Sequence, residues 1–404
     1  MVISTKYFNS CTLYILLWGL YSLQGTLYAS GSIISQGLLA IIMLFSVYYA
    51  FIVNIQSKAL PFFLKVLNVF LLMLTAYGGF LILSGKTIYF NFTLSESVSP
   101  ITFLKEVYIS LLPVYAFYHF YITHKLTDDV IRIVSVFLLV VTTFSFIRKQ
   151  NELLTDALSV GSTKEEFTNN TAYGFLGLLP LAFFWSKKPL LQYLFAAYIF
   201  IFIVAGMKRG AILIGAICFV WFVYRTWKAA RGNQRTLITT LTIIIAILGF
   251  RYVSDFYATS EYFQRRVEQT AEGGLSNRDV IYSTLWNHFI NETSVTKILF
   301  GNGALQTLSI SGSYAHNDWL EILTCHGIVG VLIYVLYFIA LVKHWIRSKH
   351  NILVYNILGM TIIIMFASTL FSMSYNNLSL SIVLCLGYCL GQLQLNKSTQ
   401  HERY

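Results

Sequence analysis

The chain has 404 residues, 56% of them hydrophobic and 16% aromatic, with only 11% charged, whereas soluble domains carry about 25% charged residues. A water-soluble globule is excluded, because apolar runs of roughly 17 to 25 residues recur from end to end and each can cross a ~30 Å hydrocarbon core as a helix. The net charge of +11 would point a soluble protein towards nucleic acid, but membrane proteins keep excess Lys and Arg for orientation and for anionic lipid; the partners expected are membrane lipids, not nucleic acid.

The length rule places about 12 spans, near 7–28, 32–54, 59–84, 102–122, 129–147, 172–186, 189–206, 211–226, 236–253, 322–343, 351–372 and 376–394. The first run lacks a small-residue cleavage site followed by a polar domain and reads as a retained helix. The expected fold is an all-α polytopic membrane protein: transmembrane helices 1–9 within 1–253, one large, partly helical loop over 254–321, and helices 10–12 with a tail over 322–404. Lys6, Lys58, Lys125, Lys187, Lys188, Arg225, Lys228, Arg231, Arg235, Lys343, Arg347, Lys349, Lys397 and Arg403 all fall on one side of this layout. Short cytoplasmic loops retain such cations, so both termini are expected in the cytoplasm, with Gly85 to Pro100, Arg148 to Thr171 and Ser254 to Glu321 outside.

In chain order, Thr127-Asp128-Asp129 reads as the cap of a span before it reads as a metal site. Ser276 and Asn277 cap an expected amphipathic helix near 277–290, which ends before the turn signal Phe300-Gly301-Asn302-Gly303. Gly387 and Gly391 allow close helix approach. Cys11, Cys218, Cys325, Cys385 and Cys389 lie in or beside apolar runs without paired loop spacing, so neither disulfide nor zinc is expected. There is no phosphate loop ending in Lys-Ser or Lys-Thr, no Gly-x-Ser-x-Gly elbow and no paired-histidine metal motif.

Three features stand out as chemistry. Lys208-Arg209 is wedged between apolar runs on the side where cations should be few; an anion would compensate it there. Lys208 reads first as a side chain reaching for the interface, Arg209 first as an anion ligand. Arg251, Arg265, Arg266 and Arg278 break the same charge bias in the large loop, and Arg presents a planar fork that fits phosphate oxygens. Arg265 and Arg266, near Glu261 and Glu268, read as a solvated face, whereas Arg278 opens a helix, whose N-terminus also favours anions. Lastly, His316 in Tyr314-Ala315-His316-Asn317-Asp318-Trp319-Leu320-Glu321 precedes a span and is the best general-base candidate. The bland alternative makes it the polar entry to a helix capped by Asn317 or Asp318. His288, His326 and His344 have weaker cases.

These residues carry a resemblance to the O-antigen ligase and O-antigen polymerase superfamily of bacterial inner-membrane proteins. His316-Asn317, then nine residues, then Gly327 and Gly330, resembles the ligase signature closing the large periplasmic loop. Lys208-Arg209-Gly210-Ala211 resembles the family's short Arg-Ala turn, and Ser276-Asn277-Arg278 the arginine that starts its loop helix. In hydropathy the resemblance covers most of the chain; residue by residue it is concentrated between Lys208 and Gly330. It implies a periplasmic active site in which Arg209 and Arg278, with Lys208 beside them, bind a diphosphate and His316 is catalytic; Asn317 and Asp318 would support it. Arg265 is a further supporting candidate that matches no family motif. The implied donor is an undecaprenyl-diphosphate-linked glycan, and no metal or cofactor is implied. The acceptor is the lipid A core for a ligase, or a growing glycan for a repeat-unit polymerase. An arginine followed by ten residues and a glycine, often described for polymerases, follows neither Arg209 nor Arg278, which leans towards the ligase. The rival from another class is a transporter or flippase for lipid-linked glycans, which would place its ions near the bilayer midplane in broken helices.

Overall fold

A computed structural model describes residues 9–57, 59–85, 88–89, 97–159, 168–259, 264, 268, 278–372 and 374–401. Helix α1 (Ser10–Ser22) starts where the Asn9 side chain accepts from the Cys11 and Thr12 N–H groups at 2.9 and 3.2 Å. Then come α2 (Ile33–Gln56) and α3 (Phe62–Leu83), and a two-residue antiparallel pairing of β1 (Ile88–Tyr89) with β2 (Ser97–Val98). The next span is broken into α4 (Pro100–Leu111) and α5 (Pro113–Ile122), because Pro113 has no N–H to continue the ladder. After α6 (Asp128–Ser159), α7 (Ala172–Leu178) tightens into a 3-10 turn, Leu179–Trp185, around Pro180. Helices α8 (Pro189–Ala205), α9 (Arg209–Ala229) and α10 (Asn233–Thr259) complete the first part.

The large loop holds α11 (Arg278–Ile290), α12 (Val295–Phe300) and α13 (Gln306–Ser311) and leads into α14 (Asp318–Arg347), α15 (Ile352–Phe371) and α16 (Leu380–His401). Eight segments, 33–56, 62–83, 100–122, 128–153, 209–229, 233–255, 318–350 and 352–371, are long and apolar enough to cross a membrane. Shorter apolar helices cover 10–22, 172–185, 189–205 and 380–396. Each falls on one of the expected spans, and the chain is an all-α polytopic membrane protein.

Packing follows the small residues. A methyl added at Gly387 would meet Phe117 Cβ at 2.5 Å and the Tyr118 nitrogen at 2.7 Å, and one at Gly391 would meet the Tyr121 ring at 2.7 Å. Helices α5 and α16 therefore touch at backbone distance. By contrast, only 6% of α10's apolar stretch is buried, and Ile243, Ile244, Ile247, Leu248 and Phe250 are exposed along it, as a lipid-facing helix requires.

Some boundaries differ from the expectation. Helix α10 runs on to Thr259, and α14 starts four residues earlier than the hydropathy run, at Asp318. The cause is local: the Asn317 side chain accepts from the Trp319 and Leu320 N–H groups at 3.0 and 3.2 Å. Asn317, not Asp318, is the cap. Helix α11 forms where expected but is not amphipathic, since Leu285 is buried while Val280, Trp286 and Ile290 are exposed around it. The readings of Arg265, Arg266, Ser276 and Asn277 lie outside the described residues.

Candidate functional site

The α8–α9 turn, the start of α11, the end of α15 and the residues before α14 meet at one end of the bundle. Lys208 is the extended residue from which α9 begins, and Arg209 is its first helical residue. Gly210 lies against the neighbouring elements: a methyl there would meet the Tyr173 hydroxyl at 2.5 Å and Phe371 Cβ at 3.0 Å. At that same place Arg278 donates from Nη1 to the Phe371 carbonyl, 3.1 Å away. The bond satisfies one of the carbonyls left open at the C-terminal end of α15 and leaves most of the guanidinium's five donors unused by it.

His316 is half-buried facing this cluster. Burial, together with the nearby Arg278 and Lys208 cations, holds its imidazole below the ordinary histidine range. It is therefore neutral at neutral pH and able to accept a proton. Its backbone is left-handed, with φ of 51°, a conformation uncommon outside glycine and costing about 1–2 kcal/mol. The loop is held from three sides. The Tyr282 hydroxyl donates to the His316 carbonyl at 3.4 Å, Asn317 caps α14 behind it, and Glu321 accepts from the Ala315 N–H at 2.9 Å.

Glu321 and Asp318 are fully buried, both 0% exposed, and so cannot face a substrate. Glu321 also accepts from the Thr307 hydroxyl at 2.6 Å, tying α13 to α14. Asp318 accepts from the Ser374 N–H at 2.8 Å, the Ser374 hydroxyl at 2.6 Å and the Tyr334 hydroxyl at 2.7 Å. Asp318 thus fastens the start of α14 to the α15–α16 connection. Replacing Glu321 with Ala strands the Ala315 and Thr307 donors, at about 1–3 kcal/mol for each donor left unpaired. The expected result is a lower unfolding temperature in detergent, which Glu321→Gln partly restores.

Gly327 and Gly330 have a structural cause. Helix α14 is interrupted at Gly327, with φ of 64° and ψ of −165°, and the 299–303 segment enters the interruption. There the Asn302 and Gly303 N–H groups donate to the Thr324 and Cys325 carbonyls, each at 3.0 Å. A methyl on Gly330 would collide with His326 Cβ.

The structure thus gathers Lys208, Arg209, Arg278, His316, Asn317 and Asp318 at one end. Among the described residues no group of three or more His, Cys, Asp or Glu side chains is placed to hold a metal ion. His288 lies on α11; His326 is buried in α14 against the Tyr77 ring, 4.5 Å between centroids; and His344 accepts from the Phe63 N–H at 3.3 Å at the opposite end. Sequence reasoning passed over Glu106 and Asn376. Glu106 was detectable as a carboxylate inside an apolar span. No family model matches this sequence, and no curated protein sequence matches it.

Proposed function

We propose that the protein is an O-antigen ligase-like glycan transferase. It moves an undecaprenyl-diphosphate-linked polysaccharide onto a hydroxyl of the lipid A core at the periplasmic face of the bacterial inner membrane. The observation that carries this reading is the meeting of a neutral imidazole, His316, with Arg278 and Lys208 at one end of a membrane bundle, Arg209 being next in the chain. The opposite end supports the orientation: the connections there carry Lys125, Lys187, Lys188, Arg231 and Lys349, as a cytoplasmic face would. The ions gather at helix ends and not at mid-bundle, which favours a surface transferase over a transporter.

In this mechanism the diphosphate sits between Arg209 and Arg278, and the acceptor hydroxyl attacks the anomeric carbon. His316 takes the hydroxyl proton as the new glycosidic bond forms. The bond from the anomeric carbon to the diphosphate oxygen breaks, and its electron pair leaves with the diphosphate, where the guanidinium groups stabilise the charge. Bound diphosphate also offsets the cations that depress His316, so the base strengthens when the donor arrives.

The test uses proteoliposomes holding a labelled lipid-diphosphate glycan and lipid A core. Wild type is expected to attach label covalently to the core, and His316→Ala to bind donor without transferring it. Label that crosses the bilayer without joining any acceptor overturns the reading in favour of transport. Because His316 must be neutral to act and its pKa is lowered from 6.5, the acid limb of kcat/KM should fall below pH 6.5. Lys208→Gln removes one depressing charge, so its limb should move to higher pH.

A further inference from the structure

Asp318 and Glu321 each take donors from the protein on both oxygens, but Glu106, a carboxylate close to the same loop, does not. Glu106 lies on α4, less than two turns from Pro100, and is half-buried. Its Oε2 accepts from Asn376 Nδ2 at 3.3 Å, and among the described residues neither of its oxygens takes any other hydrogen bond and no cation forms an ion pair with it. Asn376, only 5% exposed, is fixed in turn by the Ser110 hydroxyl, which donates to its carbonyl at 2.6 Å. A carboxylate inside an apolar span costs a few kcal/mol, about 2.5–3.5 at a helix centre. Asp318 shows how a structural acid here offsets that cost, by collecting donors on both oxygens. Glu106 is held ready by one amide and left open.

Its position is tied to the candidate site by hydrogen bonds. Asn376 belongs to the α15–α16 connection, whose Ser374 grips Asp318, two residues after His316. Tyr314, two residues before His316, has its hydroxyl pushed up by burial and by the nearby Glu106 and Glu321 carboxylates. The 314–316 loop thus has the Lys208 and Arg278 cations near His316 on one flank and the Glu106 carboxylate near Tyr314 on the other. The cationic flank suits a diphosphate. The anionic flank repels phosphate and accepts hydrogen bonds, which suits the hydroxyls of a neutral sugar, with the Tyr314 ring as an apolar surface for the sugar face.

We infer that Glu106, braced by Asn376, is a positioning residue that binds neighbouring hydroxyls of the acceptor sugar and turns the attacking one towards His316. The inference rests on the glycan-transfer reading for its choice of a sugar as ligand. Binding and transfer are therefore measured separately. The full chain in nanodiscs is titrated with neutral gluco-, galacto- and manno-tetrasaccharides, and contact is read by saturation-transfer NMR.

At least one tetrasaccharide should bind wild type, and Glu106→Gln, which keeps the shape but loses the charge, should weaken it about ten- to hundredfold, as for a hydrogen bond to a charged group. In the transfer assay the same variant should raise the acceptor KM and leave the donor KM unchanged, a split that a merely structural glutamate would not produce. If Glu106→Gln does not fold, Glu106→Asp retracts the carboxylate by one methylene and gives the same readout. Absence of binding to wild type, or equal binding by the variants, overturns the inference. Sugar bound through Glu106 without any glycosidic bond formed leaves this site standing and removes the transfer reading instead.

Discussion

Arg278→Ala should lower glycan transfer by about 10²–10³ and leave the protein folded. The two roles open to this side chain differ in size, so magnitude separates them. As a helix end-cap, Arg278 contributes one hydrogen bond, to the Phe371 carbonyl at 3.1 Å, worth about 1 kcal/mol of stability. As a partner of the departing diphosphate it contributes to the transition state, where loss of one such donor costs about 2.7–4 kcal/mol in rate. Arg278→Lys tests the fork itself. It keeps a cation at the C-terminal end of α15, favourable to the helix dipole, but offers a point charge in place of two parallel donors. Its rate should fall between wild type and Arg278→Ala at saturating donor, with an unfolding temperature near wild type. Wild-type turnover in Arg278→Ala would leave the arginine as a cap and nothing more.

The spans were legible because apolar length is a direct physical requirement of the bilayer, and the apolar helices fall where it puts them. Lys208, Arg209, Arg278 and His316 were legible as polar side chains sitting against the charge bias. Their meeting was not. It depends on the Phe371 carbonyl, on Tyr173 beside Gly210, and on the anchoring of Ala315 by Glu321, contacts between residues far apart in the chain that leave no local pattern. In the sequence Asp318 reads only as a possible cap or supporting residue and Glu321 has no role, and only the packed structure shows each clamping a second element. The breaks at Pro113 and Pro180 were not read from the sequence, because both prolines lie inside apolar runs and hydropathy averages over residues that differ only in hydrogen bonding. The helical period likewise misjudged α11, whose apolar residues occur at plausible spacing but point in several directions.

Gly327→Ala should be the most damaging single substitution among the signature residues, and through stability, not chemistry. Gly327 adopts φ of 64° and ψ of −165°, a region reserved almost wholly for glycine, where a side chain costs about 1–3 kcal/mol. Space is a second obstacle. The added methyl would sit 2.5 Å from the carbonyl carbon and oxygen of Leu299 and 2.6 Å from the Gly301 nitrogen, and main chain cannot rotate away as a side-chain tip can. Relief requires the 299–303 segment to withdraw, breaking the bonds from the Asn302 and Gly303 N–H groups to Thr324 and Cys325, each worth about 0.5–1.5 kcal/mol net. Together the backbone and hydrogen-bond terms come to about 2–6 kcal/mol before the steric clash is added, a large share of the 5–15 kcal/mol that holds a typical domain folded. The expected result is a steep fall in folded protein recovered from membranes and a clearly lower unfolding temperature in detergent. Gly79→Ala is the matched control, because its methyl meets nothing within 4 Å and alanine favours a helix interior by about 1 kcal/mol. If Gly327→Ala unfolds at the wild-type temperature, the 299–303 segment does not fasten the break in α14. The short helical stretch from Asp318 to His326 must then be held by its other contacts, among them the Asn317 cap, the Trp319–Thr369 bond and the two buried carboxylates.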